Sequence, residues 1–251
     1  MINIQPIEKF FQPPHRAIAV HSIFYTIQGE GPFTGRPAVF VRLAGCNLQC
    51  PGCDTDYTSQ RHHMSAQEIV AKILELTTKD TLVVITGGEP FRQYNIRYLL
   101  EILIKMGMKV QIETNGTLPP VPFNNGVEDG YHYTSFVTNM NVQGISAVYI
   151  VCSPKSGSIN PLIRKYACAL KYVIKHNDVD PMDYLPIHSL DHPVGVKVAR
   201  PSPEFERTIY VQPMDEQDEA KNKLNLQEAI NSCLKGGYTL QIQTHKIINM
   251  E

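Results

Sequence analysis

The chain has 251 residues, 43% of them hydrophobic and 19% charged, and its 23 Lys and Arg against 24 Asp and Glu leave a formal net charge of -1. This composition excludes a disordered tail, a collagen-like repeat and a disulfide-dense miniprotein, and the charge balance argues against a protein that wraps a nucleic-acid backbone. No stretch approaches the run of about 18 apolar residues that a membrane span needs, and MINIQPIEKF lacks the basic-then-apolar order of a secretion leader, so a cytoplasmic protein of one domain is expected.

The lead MINIQPIEKFFQPPHR carries three prolines and reads as an extended arm, part of an N-terminal extension over 1–19 that is expected to leave the core motifs alone. Arg36 to Gly45, RPAVFVRLAG, is apolar and β-branched and predicts a buried strand. SAQEIVAKILEL opens with a capping box, Ser65 and Glu68, and its stripe of Ile69, Val70, Ile73 and Leu74 predicts a packed helix. TLVVITGGEP is a second buried strand, NIRYLLEILIKMG a second helix ended by Gly107, and MKVQIETNG a third strand.

Residues 117–144, rich in Pro, Gly and Asn, predict a surface insertion. The pattern resumes with a strand ending at Cys152, weaker strands at LKYVI and RTIYVQP, and a final helix expected from Asn225 to Leu234 with Glu228 as a second capping partner. A last strand, YTLQIQT, precedes a tail that Ile247 and Ile248 are expected to anchor in the core. Strand and helix alternate as in a parallel α/β protein, here an incomplete β/α barrel of the TIM type with about six parallel strands.

Six cysteines divide unequally: Cys46, Cys50 and Cys53 share the eight residues CNLQCPGC, while Cys152, Cys168 and Cys233 are scattered. A crowded loop in a reducing compartment suits a soft metal centre. Three thiolates fall one short of a closed zinc or cubane site. The spacing leaves three readings: a [4Fe–4S] cluster with one iron kept open, zinc completed by His62 or His63, or unrelated core cysteines. The loop follows a strand at the edge where parallel folds gather their active sites. TGGEP at Thr86 to Pro90, ETNG at Glu113 to Gly116, SPK at Ser153 to Lys155 and QPMD at Gln212 to Asp215 end other strands and favour a ligand pocket there.

CNLQCPGC with TGGEP resembles the radical S-adenosylmethionine superfamily. FYTIQGEGPFTGRPAVFVRLAGCNLQC, CDT, VITGGEP, QIETNG, SPK and the closing QTHK resemble, more narrowly, the 7-carboxy-7-deazaguanine synthase family. The resemblance implies a lyase of the 7-deazapurine (queuosine) pathway that abstracts hydrogen from C6 of 6-carboxy-5,6,7,8-tetrahydropterin, contracts the ring and releases ammonia. It implies a [4Fe–4S] cluster on Cys46, Cys50 and Cys53. S-adenosylmethionine would lie against Gly88, Glu89, Glu113, Asn115, Ser153, Pro154, Lys155, Gln212, Pro213, Met214 and Asp215. Ile27, Gln28, Gly29, Glu30, Arg42, Thr86, His245 and the carboxylate of Glu251 would surround the pterin, and Thr55 would ligate Mg²⁺.

A homodimer and a flavodoxin-type or other one-electron donor are implied, with no direct nucleic-acid or membrane partner. Read without the resemblance, Arg42 is more readily a surface ion pair, Thr55 a β-former or turn residue and His245 an edge histidine. The alternatives are another radical S-adenosylmethionine enzyme, such as one that activates a glycyl-radical partner, and a zinc-stabilised nucleic-acid-binding module.

Overall fold

The computed structural model describes residues 3–11, 13–77, 81–120, 141–142, 145–191 and 197–250. Glu251 and most of the expected insertion at 117–144 lie outside these residues.

The strands are β1 (Ile18–Ile27), β2 (Pro37–Leu43), β3 (His62–Met64), β4 (Leu82–Gly87), β5 (Val110–Thr114), β6 (Asn141–Val142), β7 (Ile145–Ser146), β8 (Val148–Cys152), β9 (Ala167–Ile174), β10 (Thr208–Pro213) and β11 (Thr239–Leu240). The helices are α1 (Ala66–Leu76), α2 (Ile96–Lys105), α3 (Pro161–Tyr166), α4 (Glu219–Gly236) and the short α5 (Thr244–Ile247). One nine-stranded sheet runs in the order β11-β10-β9-β8-β5-β4-β2-β1-β3. Every pair from β2 to β11 is parallel, and β1 and β3 add antiparallel at one edge. Among the described residues the sheet has two free ends, at β11 and β3, as an incomplete barrel must. Its parallel strands are the expected six, β2, β4, β5, β8, β9 and β10, extended by the two-residue β11.

Period-two alternation divides the sheet. Val39, Val41 and Leu43 of β2, Val83 and Ile85 of β4, and Val110 and Ile112 of β5 join Ile69 and Ile73 of α1 and Leu99, Leu100 and Leu103 of α2 in one core. The alternate residues Phe40, Arg42, Thr86, Glu113, Lys171 and Gln212 face a cavity instead. Ser65 caps α1 as expected, accepting from the Glu68 amide while the Glu68 carboxylate accepts from the Ser65 amide.

Four expectations need correction. The chain enters the sheet at Ile18, inside the expected extension, through an antiparallel strand that alternation alone did not mark. Helix α4 starts at Glu219, capped by Asp218, so Asn225 is a buried mid-helix residue whose side chain accepts from the His176 amide and donates to the Met214 carbonyl. Glu228 pairs with His176 rather than capping. The last strand is only two residues long, because Gln241 turns into the fold to accept from the Gly31 amide and donate to Thr34. Ile247 and Ile248 are 62% and 44% exposed, so polar contacts rather than a hydrophobic anchor hold the tail.

Candidate active site

The cavity, about 400 Å³, opens at the C-terminal ends of the parallel strands. Cys46, Cys50 and Cys53, none of them in a disulfide, line it on the loop after β2. Burial pushes the Cys46 thiol up to about 12 and Cys50 up to about 11 and raises Cys53, and a soft cationic centre would favour their thiolate forms. His62 and His63 are placed elsewhere, exposed on the edge strand β3 and paired with Val20 and Ala19. Among the described residues no three His, Cys, Asp or Glu side chains converge on a single ion. Three thiolates on one cavity wall suit an iron–sulfur cluster, and neither His62 nor His63 lines that cavity to serve as the fourth ligand of the zinc-stabilised module.

The glycine pair after β4 brings two strand ends together. A Cβ on Gly88 would lie 1.9 Å from the Gly45 carbonyl oxygen, and one on Gly87, where φ is +121°, would lie 2.2 Å from that of Leu43. Only glycine lets the TGGEP turn lie directly against the start of the cysteine loop. The Glu89 carboxylate, fully buried, accepts from the Phe91 and Asn115 amides and from the Thr114 hydroxyl. Burial raises its carboxyl to about 7, against those three donors. Glu89 thus fastens TGGEP to ETNG from beneath rather than lining the cavity. Asn115 then donates to Asn47 (2.9 Å), within the cysteine loop.

Glu30, which is buried, and Glu113, which is half-buried, line the cavity together. Glu30 is paired with Lys171 and accepts from Gln212 (3.0 Å) and Gln243 (2.9 Å). Burial alone would raise its carboxyl, but Lys171 and the Gln243 bond overrule it and hold it at about 2. Glu113 accepts from Gln28 and Gln111 (3.0 Å each) and from Thr86 (3.2 Å). Burial and the charge of Glu30 push its carboxyl up. Glu30 is therefore held as an anion, and Glu113 is the more readily protonated of the two carboxyls. Lys155, hydrogen-bonded to Ser153, is lowered by burial and then by Lys171. Arg42 lies 5.0 Å over the Phe24 ring, which stacks on Phe40.

The C-terminal turn covers this face. A Cβ on Gly29 would lie 1.9 Å from Nδ1 of His245, so the imidazole rests directly on the Gln28–Gly29 backbone. Its pKa is lowered, first by burial, with Glu30 opposing. Lys246 spans from Asp54, beside Cys53, to Asp215 after β10 (2.7 and 2.8 Å). The Lys246 hydrogen bond is the main reason that the Asp215 carboxyl lies at about 2.

The cavity brings together Gln28, Glu30, Arg42, the three cysteines, Thr55, Thr86, Gly88, Glu113, Asn115, Ser153, Lys155, Gln212, Pro213, Met214, Asp215 and His245. Ile27, Gly29, Glu89 and Pro154 lie outside its lining, and Glu251 outside the described residues. Sequence reasoning missed Phe24, Phe40, Asp54, Lys171, Gln243 and Lys246. Lys171 carried a signal: a lone charge inside the apolar strand ACALKYVI, where alternation puts it on the opposite face from Leu170 and Tyr172.

A model of the radical SAM superfamily matches residues 41–124, which contain the cysteine loop and TGGEP. A 7-carboxy-7-deazaguanine synthase of Rhodospirillum rubrum is 39% identical over 239 residues, covering 92% of both chains. One of Rickettsia prowazekii is 36% identical over 245 residues, covering 93% of this chain and 89% of its own. The crystal structure of QueE from Escherichia coli, 24% identical, superposes with a TM-score of 0.61 over 91% of this chain and 95% of that one, a likeness of fold.

Proposed function

Because the chain belongs to the 7-carboxy-7-deazaguanine synthase family of the radical S-adenosylmethionine superfamily, we propose that its cavity binds 6-carboxy-5,6,7,8-tetrahydropterin and converts it to 7-carboxy-7-deazaguanine with loss of ammonia. The protein is a lyase that uses S-adenosylmethionine and a [4Fe–4S] cluster. The observation that carries the site assignment is the meeting of the three clustered cysteines with the TGGEP and ETNG turns at one end of the sheet. Cys46, Cys50 and Cys53 would hold the cluster, which when bound supplies the electron that splits S-adenosylmethionine into methionine and a 5′-deoxyadenosyl radical.

The residues divide the remaining work. Gly88, Asn115, Ser153, Lys155 and the Gln212–Asp215 segment, all close to the cysteine loop, are suited to S-adenosylmethionine. Backbone groups at Gly88 can approach a ligand closely, and Lys155 offers an ammonium to a carboxylate. Glu89 acts one layer below by fixing the turns that carry Gly88 and Asn115. On the β1 side, the Arg42 guanidinium matches the planar carboxylate of the pterin. Glu113 and Gln28 can pair with its ring nitrogens and amino group, and His245 closes over them. The Phe24–Phe40 stack and the C-terminal turn form apolar and capping walls that would limit water around a bound pterin.

Thr55 lines the same cavity, which supports a role for its hydroxyl as an oxygen ligand for Mg²⁺. A homodimer, a flavodoxin-type or other one-electron donor and a cytoplasmic location belong to the same proposal. Among the described residues no helix is long and apolar enough to cross a membrane. The test is anaerobic turnover of the reconstituted protein with S-adenosylmethionine, reductant, Mg²⁺ and the pterin. The expected product has the mass of 7-carboxy-7-deazaguanine, and unchanged pterin would refute the assignment.

A further inference from the structure

The N-terminal arm departs from its expected independence of the core motifs, because it binds the cysteine loop along its length. The Asn3 amide donates to the Pro51 carbonyl (2.8 Å) and the Asn3 side chain to the Cys50 carbonyl (3.1 Å). Gln5 Nε2 donates to the Thr55 carbonyl (2.8 Å), while Gln5 Oε1 accepts from the Tyr57 amide (2.8 Å) and the Thr58 hydroxyl (3.0 Å). Gln49, inside the loop, donates back to the Gln5 carbonyl (2.7 Å). Ile7 bridges to Cys46, and the Glu8 amide donates to the Cys46 carbonyl (2.7 Å). The Glu8 carboxylate ties this end to the buried Arg92, which donates to the Ala44 carbonyl just before the loop.

A loop of Gly, Pro and Cys has little regular structure of its own and leaves its carbonyls in need of donors. The arm supplies donors at Cys46, Cys50, Pro51 and Thr55, so it spans all three cysteines. Partners one layer out from metal ligands set ligand orientation and metal retention, and for an iron–sulfur cluster also solvent access.

We propose that Asn3–Glu8 is a strap that retains the iron–sulfur cluster, with Asn3 and Gln5 as its positioning residues. The proposal rests on the reading that Cys46, Cys50 and Cys53 hold that cluster. Neither residue touches substrate; both act by fixing the loop that carries the thiolates.

The experiment challenges anaerobically reconstituted protein with excess bathophenanthroline disulfonate and follows loss of the visible cluster absorbance, beside thermal unfolding of each apoprotein. The Asn3→Ala/Gln5→Ala double variant is expected to lose its cluster about 10- to 100-fold faster than wild type, with the apoprotein midpoint unchanged. Gln5→Glu keeps the acceptor for Tyr57 and Thr58 but removes the donor to Thr55, and its loss rate is expected to fall between the two. Equal loss rates in all three proteins would overturn the proposal. So would faster loss that merely tracks a lowered apoprotein midpoint, since the arm would then support the whole fold. Cys50→Ala runs alongside: if it keeps a full cluster, the ligand reading fails independently of the strap.

Discussion

The Lys171 ammonium on β9 is paired with the Glu30 carboxylate that follows β1, and both side chains are nearly withdrawn from solvent. Breaking a buried pair by removing one partner leaves an uncompensated charge, at a cost of about 3–5 kcal/mol. Lys171→Met is therefore expected to lower stability by that order, with Lys171→Arg recovering part of it, as read by urea unfolding at neutral pH. A Met variant as stable as wild type would remove the pair from the account of the pocket.

The same pair sets an acid limb. Glu30 lies at about 2 in the fold against an ordinary 4.5, so in that window the unfolded chain binds more protons than the native one. Its contribution is fully present above pH 4.5 and is lost as the pH falls from 4.5 towards 2. Unfolding midpoints measured from pH 6 down to 3 are expected to fall less steeply in Lys171→Met, where Glu30 has lost its partner. Parallel slopes would assign the acid sensitivity to other carboxylates, such as Asp215 beside Lys246.

Much of this site was legible in the sequence because its markers are local. The spacing of Cys46, Cys50 and Cys53, the glycines of TGGEP and the capping box of Ser65 and Glu68 each need only neighbours to be read. What escaped depends on distant partners. Strand β1 was missed because its antiparallel pairing with β2 breaks the β/α rhythm. The start of α4 was missed because EAKNKLNLQ is too polar to form an apolar stripe, and its cap is a single aspartate. Lys246 and Gln5 look like ordinary surface residues until the fold brings Asp54 and Thr55 to them.

The cysteines should divide into two classes. Replacing Cys46, Cys50 or Cys53 with Ala removes a thiolate that carbon cannot replace, and each variant is expected to lose cluster iron and visible absorbance. Cys168→Ala, on β9 and outside the cavity lining, is expected to keep both. Iron analysis after identical reconstitution decides, and full loading of any variant in the first class would contradict the ligand assignment.

Gly29 offers a test of the C-terminal cover. In Gly29→Ala the new methyl would lie 1.9 Å from the His245 ring, which must move away. A displacement of this size near a reacting group costs about 10- to 100-fold. That loss is expected in kcat/KM for the pterin, with S-adenosylmethionine affinity unchanged, because the cofactor residues lie on other strand ends. Unchanged pterin kinetics would leave His245 a purely structural residue.

Thr55 separates metal dependence from cluster assembly. Thr55→Val keeps the shape and deletes the hydroxyl oxygen. The variant is expected to assemble its cluster normally and to need at least about tenfold more Mg²⁺ for half-activation. Superimposable Mg²⁺ titrations would exclude Thr55 as a ligand.

The central claim is that radical chemistry at the cysteine loop is aimed at a pterin held between Arg42, Glu113 and His245. It is tested most directly by anaerobic turnover with 6-carboxy-5,6,7,8-tetrahydropterin deuterated at C6, with the fate of the label read by mass. The expected result is deuterium in 5′-deoxyadenosine together with formation of 7-carboxy-7-deazaguanine. Unlabelled 5′-deoxyadenosine with the pterin recovered intact would contradict it.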